Sequence, residues 1–180
     1  MKKTIDINEK KSKKFCREVI SIMTNYKFLL RSPNRKIIDT ILSFRLLLIA
    51  EAFILLLFGM DFIYDSQNIF GISISVLVML CLIMTLYIYF GIIKTYKTLL
   101  IDEGRSSLIM DDKGVELRIG STKSVRLGWG QIAFIRSFKE SICFIDSDVT
   151  GFLIAVSISY KNDIVNYLIK NKIKVQQIDL

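Results

Sequence analysis

The sequence predicts an α+β membrane protein: a hairpin of two transmembrane helices, then a small domain of strands that ends in a helix. Three observations predict it. Residues 69–93 are 25 consecutive uncharged residues, residues 46–64 form a second apolar run, and beyond residue 98 short alternating segments are split by turn residues. Composition agrees, since 52% hydrophobic residues and a mean hydropathy of +0.44 exceed what an ordinary soluble domain carries. At 180 residues the chain has room for a few spans and one small domain. The expected organisation is a basic arm over 1–40, a first span over 41–64, a second over 69–93 and a cytoplasmic domain over 98–180.

A helix over 69–93 would be about 37 Å long, enough to cross a ~30 Å hydrocarbon core with some tilt. The first run carries Glu51 inside and Asp61 near one end. Its twelve Leu, Ile and Phe residues each favour insertion by roughly 0.3–0.6 kcal/mol, against about 3 kcal/mol for one central acid. The sum favours the membrane. Lys27, Arg31, Arg35, Lys36 and Arg45 precede the first span, Lys94, Lys97 and Arg105 follow the second, and the connector over 61–68 has no lysine or arginine. The expected topology is therefore a multi-pass cell-membrane protein with the connector outside and both termini cytoplasmic. Phe62, Tyr64 and Phe70 would mark the outer interface, and Tyr87, Tyr89, Phe90 and Tyr96 the inner one. A cleavable signal peptide does not fit, because the first long apolar run starts after forty residues.

Charge is concentrated in the arm. Residues 1–45 hold 12 Lys and Arg against 4 acids, and residues 46–180 hold 13 of each, so the net +8 belongs to the N-terminal part. A basic arm beside a span has the anionic inner leaflet, not nucleic acid, as its nearest partner. After a strand-like stretch over 4–7, Asn8 is placed to cap a helix in which Phe15, Val19, Met23, Tyr26 and Leu30 form one apolar stripe. Lys10, Lys13, Lys14, Arg17 and Lys27 lie mostly elsewhere on the wheel and are the expected lipid-facing cations. The alternative is that the stripe packs on the protein's own C-terminal domain. Ser32-Pro33 would end this helix and start another that runs into the first span.

In the C-terminal part, strands are expected at 108–110, 115–119, 125–129, 132–138, 142–145 and 152–156, with a closing helix after Ser159 that runs to about Lys170. Asp111-Asp112-Lys113-Gly114 reads as a turn in which Gly114 takes positive φ. Trp129 reads as a core residue whose indole N–H needs a partner. This order of a strand, the Asp111-Asp112-Lys113-Gly114-Val115 turn, a strand, Trp129 with Gln131-Ile132 after it, two apolar strands and a terminal helix resembles the C-terminal domain of the YcxB-like bacterial membrane proteins. The resemblance implies a two-span hairpin carrying a cytoplasmic pleckstrin-homology-like β-barrel capped by a helix. It implies no activity.

The residues point away from an enzyme. There is no histidine, and Cys16, Cys81 and Cys143 lie about 60 residues apart, so neither zinc-ligand spacing nor His-dependent catalysis can be drawn. No Gly-rich phosphate loop, Gly-x-Ser-x-Gly elbow or paired carboxylates appear, and no cofactor is expected. An odd cysteine count argues against a disulfide framework. Lys113, Lys123 and Arg126 are interleaved with Asp111, Asp112 and Glu116, which weakens a headgroup pocket on those loops.

Glu51 is the acid well inside a span, about 6 Å to the cytoplasmic side of the bilayer centre. Arg45 is six residues earlier, so it should snorkel to the interface, and Thr85, Tyr87 and Tyr89 reach a similar depth on the second span. Glu51 is then expected to hydrogen-bond across the hairpin or across a homo-oligomer seam, with an ion-linked or toxin-facing role as the sharper alternative. The expected function is a non-enzymatic, inner-leaflet-anchored module that binds membrane lipid and an unidentified protein partner. The alternative is an immunity protein that protects against a membrane-acting toxin.

Overall fold

The computed structural model describes residues 2–7, 11–64, 69–101, 106–120, 123–148 and 152–180, with side chains described except at 59–64, 69–71 and 100–101. The chain forms two units, one made of residues 38–97 and the other of residues 1–37 together with 98–180.

The first unit is a pair of helices, α3 (Thr40–Tyr64) and α4 (Ile69–Ile101). Each holds a stretch long and apolar enough to cross a membrane, Thr40–Phe58 and Ile72–Leu99. Only 11% and 6% of these stretches is buried, which separates them from the core helices of soluble proteins. α4 continues eight residues beyond the expected end at Ile93, because Lys94 and Lys97 are good helix formers and no Gly or Pro interrupts them. α3 begins at Thr40, not at Pro33. Asp39 Oδ1 accepts the Leu42 N–H at 3.1 Å and so starts it. The aromatic residues expected at the outer interface lie outside the described side chains.

Among the described residues the second unit has eight strands: β1 (Lys3–Ile7), β2 (Ser106–Met110), β3 (Gly114–Ile119), β4 (Lys123–Gly128), β5 (Ile132–Ser137), β6 (Ser141–Asp146), β7 (Leu153–Ser157) and β8 (Gln176–Ile178). They form two four-stranded sheets, β1-β2-β3-β4 and β7-β6-β5-β8. No closed barrel forms among the described residues. β8, which was not expected, pairs parallel with β5 and follows the closing helix α5 (Lys161–Lys170).

Register explains the core. In the first sheet Ile5, Leu108, Leu117 and Val125 stand opposite one another across four strands, and Met110, Val115 and Leu127 form the next row. Both rows face Ile135, Ile142, Phe144 and Ile154 of the second sheet, with Ile164, Tyr167 and Leu168 of α5 joining them. The second sheet is apolar on its other face too. Phe134, Cys143 and Ile145 pack there against Ile22, Tyr26 and Leu29 of α1 (Lys13–Thr24) and α2 (Tyr26–Arg31). β6 is consequently buried at every position, as a strand covered on both faces must be.

Candidate functional site

Within the helical hairpin, Glu51 and Thr85 are 9% and 7% exposed. Thr85 Oγ1 donates to Glu51 Oε1 at 2.9 Å. Glu51 Oε2 is also buried and accepts no hydrogen bond among the described residues. Tyr87 does not join them; it is 82% exposed, on a different side of α4. Tyr89 instead accepts from Arg45 Nε at 3.1 Å, so the arginine is held six residues before Glu51.

The arm is built into the second unit, so for the buried part of the stripe the alternative of packing on the C-terminal domain is the one found. α1 starts at Lys13, with the Ser12 hydroxyl accepting the Phe15 N–H at 3.0 Å. Asn8, the expected cap, and Lys10 lie outside the described residues. Glu18 of α1 accepts the backbone N–H groups of Lys139 and Glu140 at 3.1 and 3.0 Å and the Ser141 hydroxyl at 2.6 Å, closing the β5–β6 turn. The Tyr26 hydroxyl lies 2.5 Å from the Asp146 carbonyl and 3.0 Å from that of Asp148. Burial and the two nearby carboxylates push its pKa up to about 12. Arg136 donates to the carbonyls of Pro33 and Arg35. These bonds draw residues 33–35 onto the domain and give the physical reason that Pro33 does not begin a helix.

Of the expected lipid-facing cations, Lys13, Lys14 and Lys27 are exposed while Arg17 is half-buried. The stripe divides: Val19 and Tyr26 are buried, Phe15 and Leu30 partly so, and Met23 is exposed. Glu18 was missed by sequence reasoning, although it is the lone acid between residues 10 and 38. Tyr26 was read only for its apolar ring. Arg136 carried no signal in the sequence.

The β2–β3 turn gathers the signature residues. Asp111 Oδ1 accepts the N–H groups of Lys113 and Gly114 at 2.9 and 3.0 Å, and Arg126 pairs with the same carboxylate at 2.7 Å. Partial burial would raise the Asp111 pKa, but these donors outweigh it and hold the carboxyl below its ordinary range. Asp112 is exposed. The Trp129 indole donates to the Asp111 carbonyl at 2.9 Å and its ring stacks on Tyr167. Gly114 does not take positive φ; among the described glycines Gly120 does. A Cβ at Gly114 would stand 2.1 Å from the Leu127 carbonyl oxygen, so the close approach of β4 is what requires glycine. The cluster is a structural clasp whose polar groups are used internally.

An apolar cavity of about 510 Å³ lies inside this unit. One wall is the third row of the first sheet, where Ile7, Ser106 and Ile119 stand in register beyond the two core rows. Leu153, Ala155 and Val156 of edge strand β7 form the opposite wall, and Phe15, Val19 and Met23 of α1 cover it. Its size is that of a small-molecule site.

Among the described residues no cluster of His, Cys, Asp or Glu could hold a metal. Comparison with protein-family models, with curated proteins and with solved structures yields no match to this chain.

Proposed function

We propose that the chain is a non-enzymatic binding module of pleckstrin-homology-like type, held at the cytoplasmic leaflet of the cell membrane by its two-helix hairpin. The observation that carries this reading is the pairing of β1 with β2, Lys3 opposite Met110 and Ile7 opposite Ser106. The hairpin is inserted in sequence between two neighbouring strands of one sheet. Both of its ends must then emerge on the same side of the membrane as the domain, which requires an even number of crossings. The excess of lysine and arginine flanking the hairpin, against none in the connector, supports the cytoplasm as that side.

The exposed lysines Lys13, Lys14 and Lys27 and the exposed Phe28, with Arg35 over its ring at 5.3 Å, supply cations and an aromatic suited to an anionic interface. Two sheets with a terminal helix packed on the shared core agree with the resemblance noted above, and the seam between them is where a barrel would close.

Topology is tested by cysteine labelling in a Cys81→Ser background, since Cys16 and Cys143 are buried. Ser66→Cys in the connector should react with an impermeant maleimide in intact cells, and Ser124→Cys on β4 should react only after lysis. Labelling of Ser124→Cys in intact cells would overturn the orientation.

A further inference from the structure

We infer that the cavity beneath α1 is a binding site for a single long alkyl chain, taken from a fatty acid or a lysophospholipid. The inference rests on the membrane-anchored reading above and adds a ligand class to it.

The cavity exists for a reason visible in the register. The first two rows of the first sheet are filled by branched or long side chains from four strands, whereas the third row carries Ser106 between Ile7 and Ile119. Edge strand β7 presents Val156 towards the first sheet and, on the face that α1 covers, the small Ala155 after Leu153. Ser106 on one side and Ala155 under α1 leave volume around the edge of β7 that the surrounding side chains do not fill. An apolar space of this kind takes up apolar molecules in preference to water, which would find few hydrogen-bond partners there.

Shape and chemistry then narrow the occupant. Among the lining residues Val19, Ser106 and Val156 are buried, while Ser12 and Met23, at the two ends of α1, and Phe152 are exposed. An apolar space that runs under the length of α1, with polar groups among its lining residues, suits a molecule with a long apolar tail and one polar end. Lys11, Glu140, Ser12 and Ser157 also line the cavity and are its polar lining residues. Leu99, which closes the apolar stretch Ile72–Leu99, is a further lining residue. Along the chain, the nearest store of alkyl tails is therefore the bilayer.

The test uses the full-length protein in phosphatidylcholine nanodiscs with palmitic acid carrying a mid-chain diazirine. After irradiation, peptide mapping should find label on α1, β3 and β7, and excess unlabelled palmitate should abolish it. Label on α3 and α4 reports bulk lipid and should not compete. Filling the space with Ser106→Phe or Ala155→Leu should remove the domain label while leaving the label on the spans. A lysophosphatidylcholine with the same reactive chain separates the sources: domain label from both probes assigns the alkyl chain alone, and label from one assigns that head group as well. Absence of domain label, or domain label that palmitate does not compete, overturns the inference even if both filled variants fail to fold. Cysteine labelling would be unaffected by that failure, so the anchored reading stands or falls separately.

Discussion

Thr85 donates its hydroxyl proton to Glu51 across the turn of the helical hairpin, at 2.9 Å and 34 positions apart in sequence. The bond joins two otherwise apolar helices at one depth and fixes their register there. Side-chain hydrogen bonds between transmembrane helices contribute about 0.6 kcal/mol on average. Thr85→Val should weaken the hairpin by about that amount, and Glu51→Gln, which can still accept from Thr85, should weaken it less. Glu51→Leu removes the acid together with its unpaired Oε2 and should cost less than Thr85→Val, which strands it, and Thr85→Val should add no further loss in the Glu51→Leu background. Unfolding in mixed micelles measures all four. Additive losses would show that the pair is not coupled.

Glu18 should matter to the domain far more than an acid on a basic helix suggests. It accepts three hydrogen bonds at the β5–β6 turn, and leaving such donors unsatisfied costs roughly 1–3 kcal/mol. Glu18→Ala should lower the thermal midpoint clearly and Glu18→Gln less, since an amide oxygen still accepts. Equal midpoints for Glu18→Ala and wild type would contradict the arrangement.

Two glycines give opposite expectations. Gly114→Ala forces a methyl group against the Leu127 carbonyl, and overpacking of that kind costs about 1–3 kcal/mol or more. Nothing lies within 4 Å of a Cβ at Gly130, so Gly130→Ala should be near neutral. Denaturant midpoints of the two variants decide it.

Alkaline stability follows from two buried acids. Burial holds the Tyr26 pKa at about 12 against an ordinary 10.0, and Cys143 at about 12 against 9.0. A folded pKa above the unfolded one means the stabilisation is complete below the unfolded value and is lost as pH rises through the folded one. Stability should therefore fall between about pH 9 and 12. Tyr26→Phe should flatten the part above pH 10 while costing about 1 kcal/mol at neutral pH through its lost hydrogen bond. For the same reason Cys143 should resist alkylation until the domain is denatured. Rapid modification of Cys143 in the native protein would place it in contact with solvent.

The two long apolar helices were legible because their signal is length and scarcity of charge, which no tertiary contact needs to complete. Six strands were legible from alternation and turn residues, but β8 was not. Three residues, Gln176-Gln177-Ile178, carry no period, and their pairing with β5 is parallel and set by where α5 returns the chain. The arm left two readings open for a physical reason. A stripe at helical spacing shows that a face is buried and leaves open what buries it. The deciding clue lay elsewhere, in Ile142-Cys143-Phe144-Ile145, four apolar residues in a row on a strand. That run requires a cover on both sides of its sheet, and α1 with α2 is the cover on one of them. Of the polar sites, Glu51 and Thr85 could be placed by depth alone, whereas Glu18 and Arg136 act on backbone groups more than sixty residues away.

The pairing of Lys3 with Met110 also sets an order of events during synthesis. β1 is made first and β2, with which it pairs, is made after the whole hairpin, about a hundred residues later. At roughly 5–20 residues per second the first strand waits about 5–20 s for its partner. In that interval the apolar hairpin is complete while the domain is still missing its second sheet. The finishing of β2 thus joins a sheet around a long segment that was made, whole, before it.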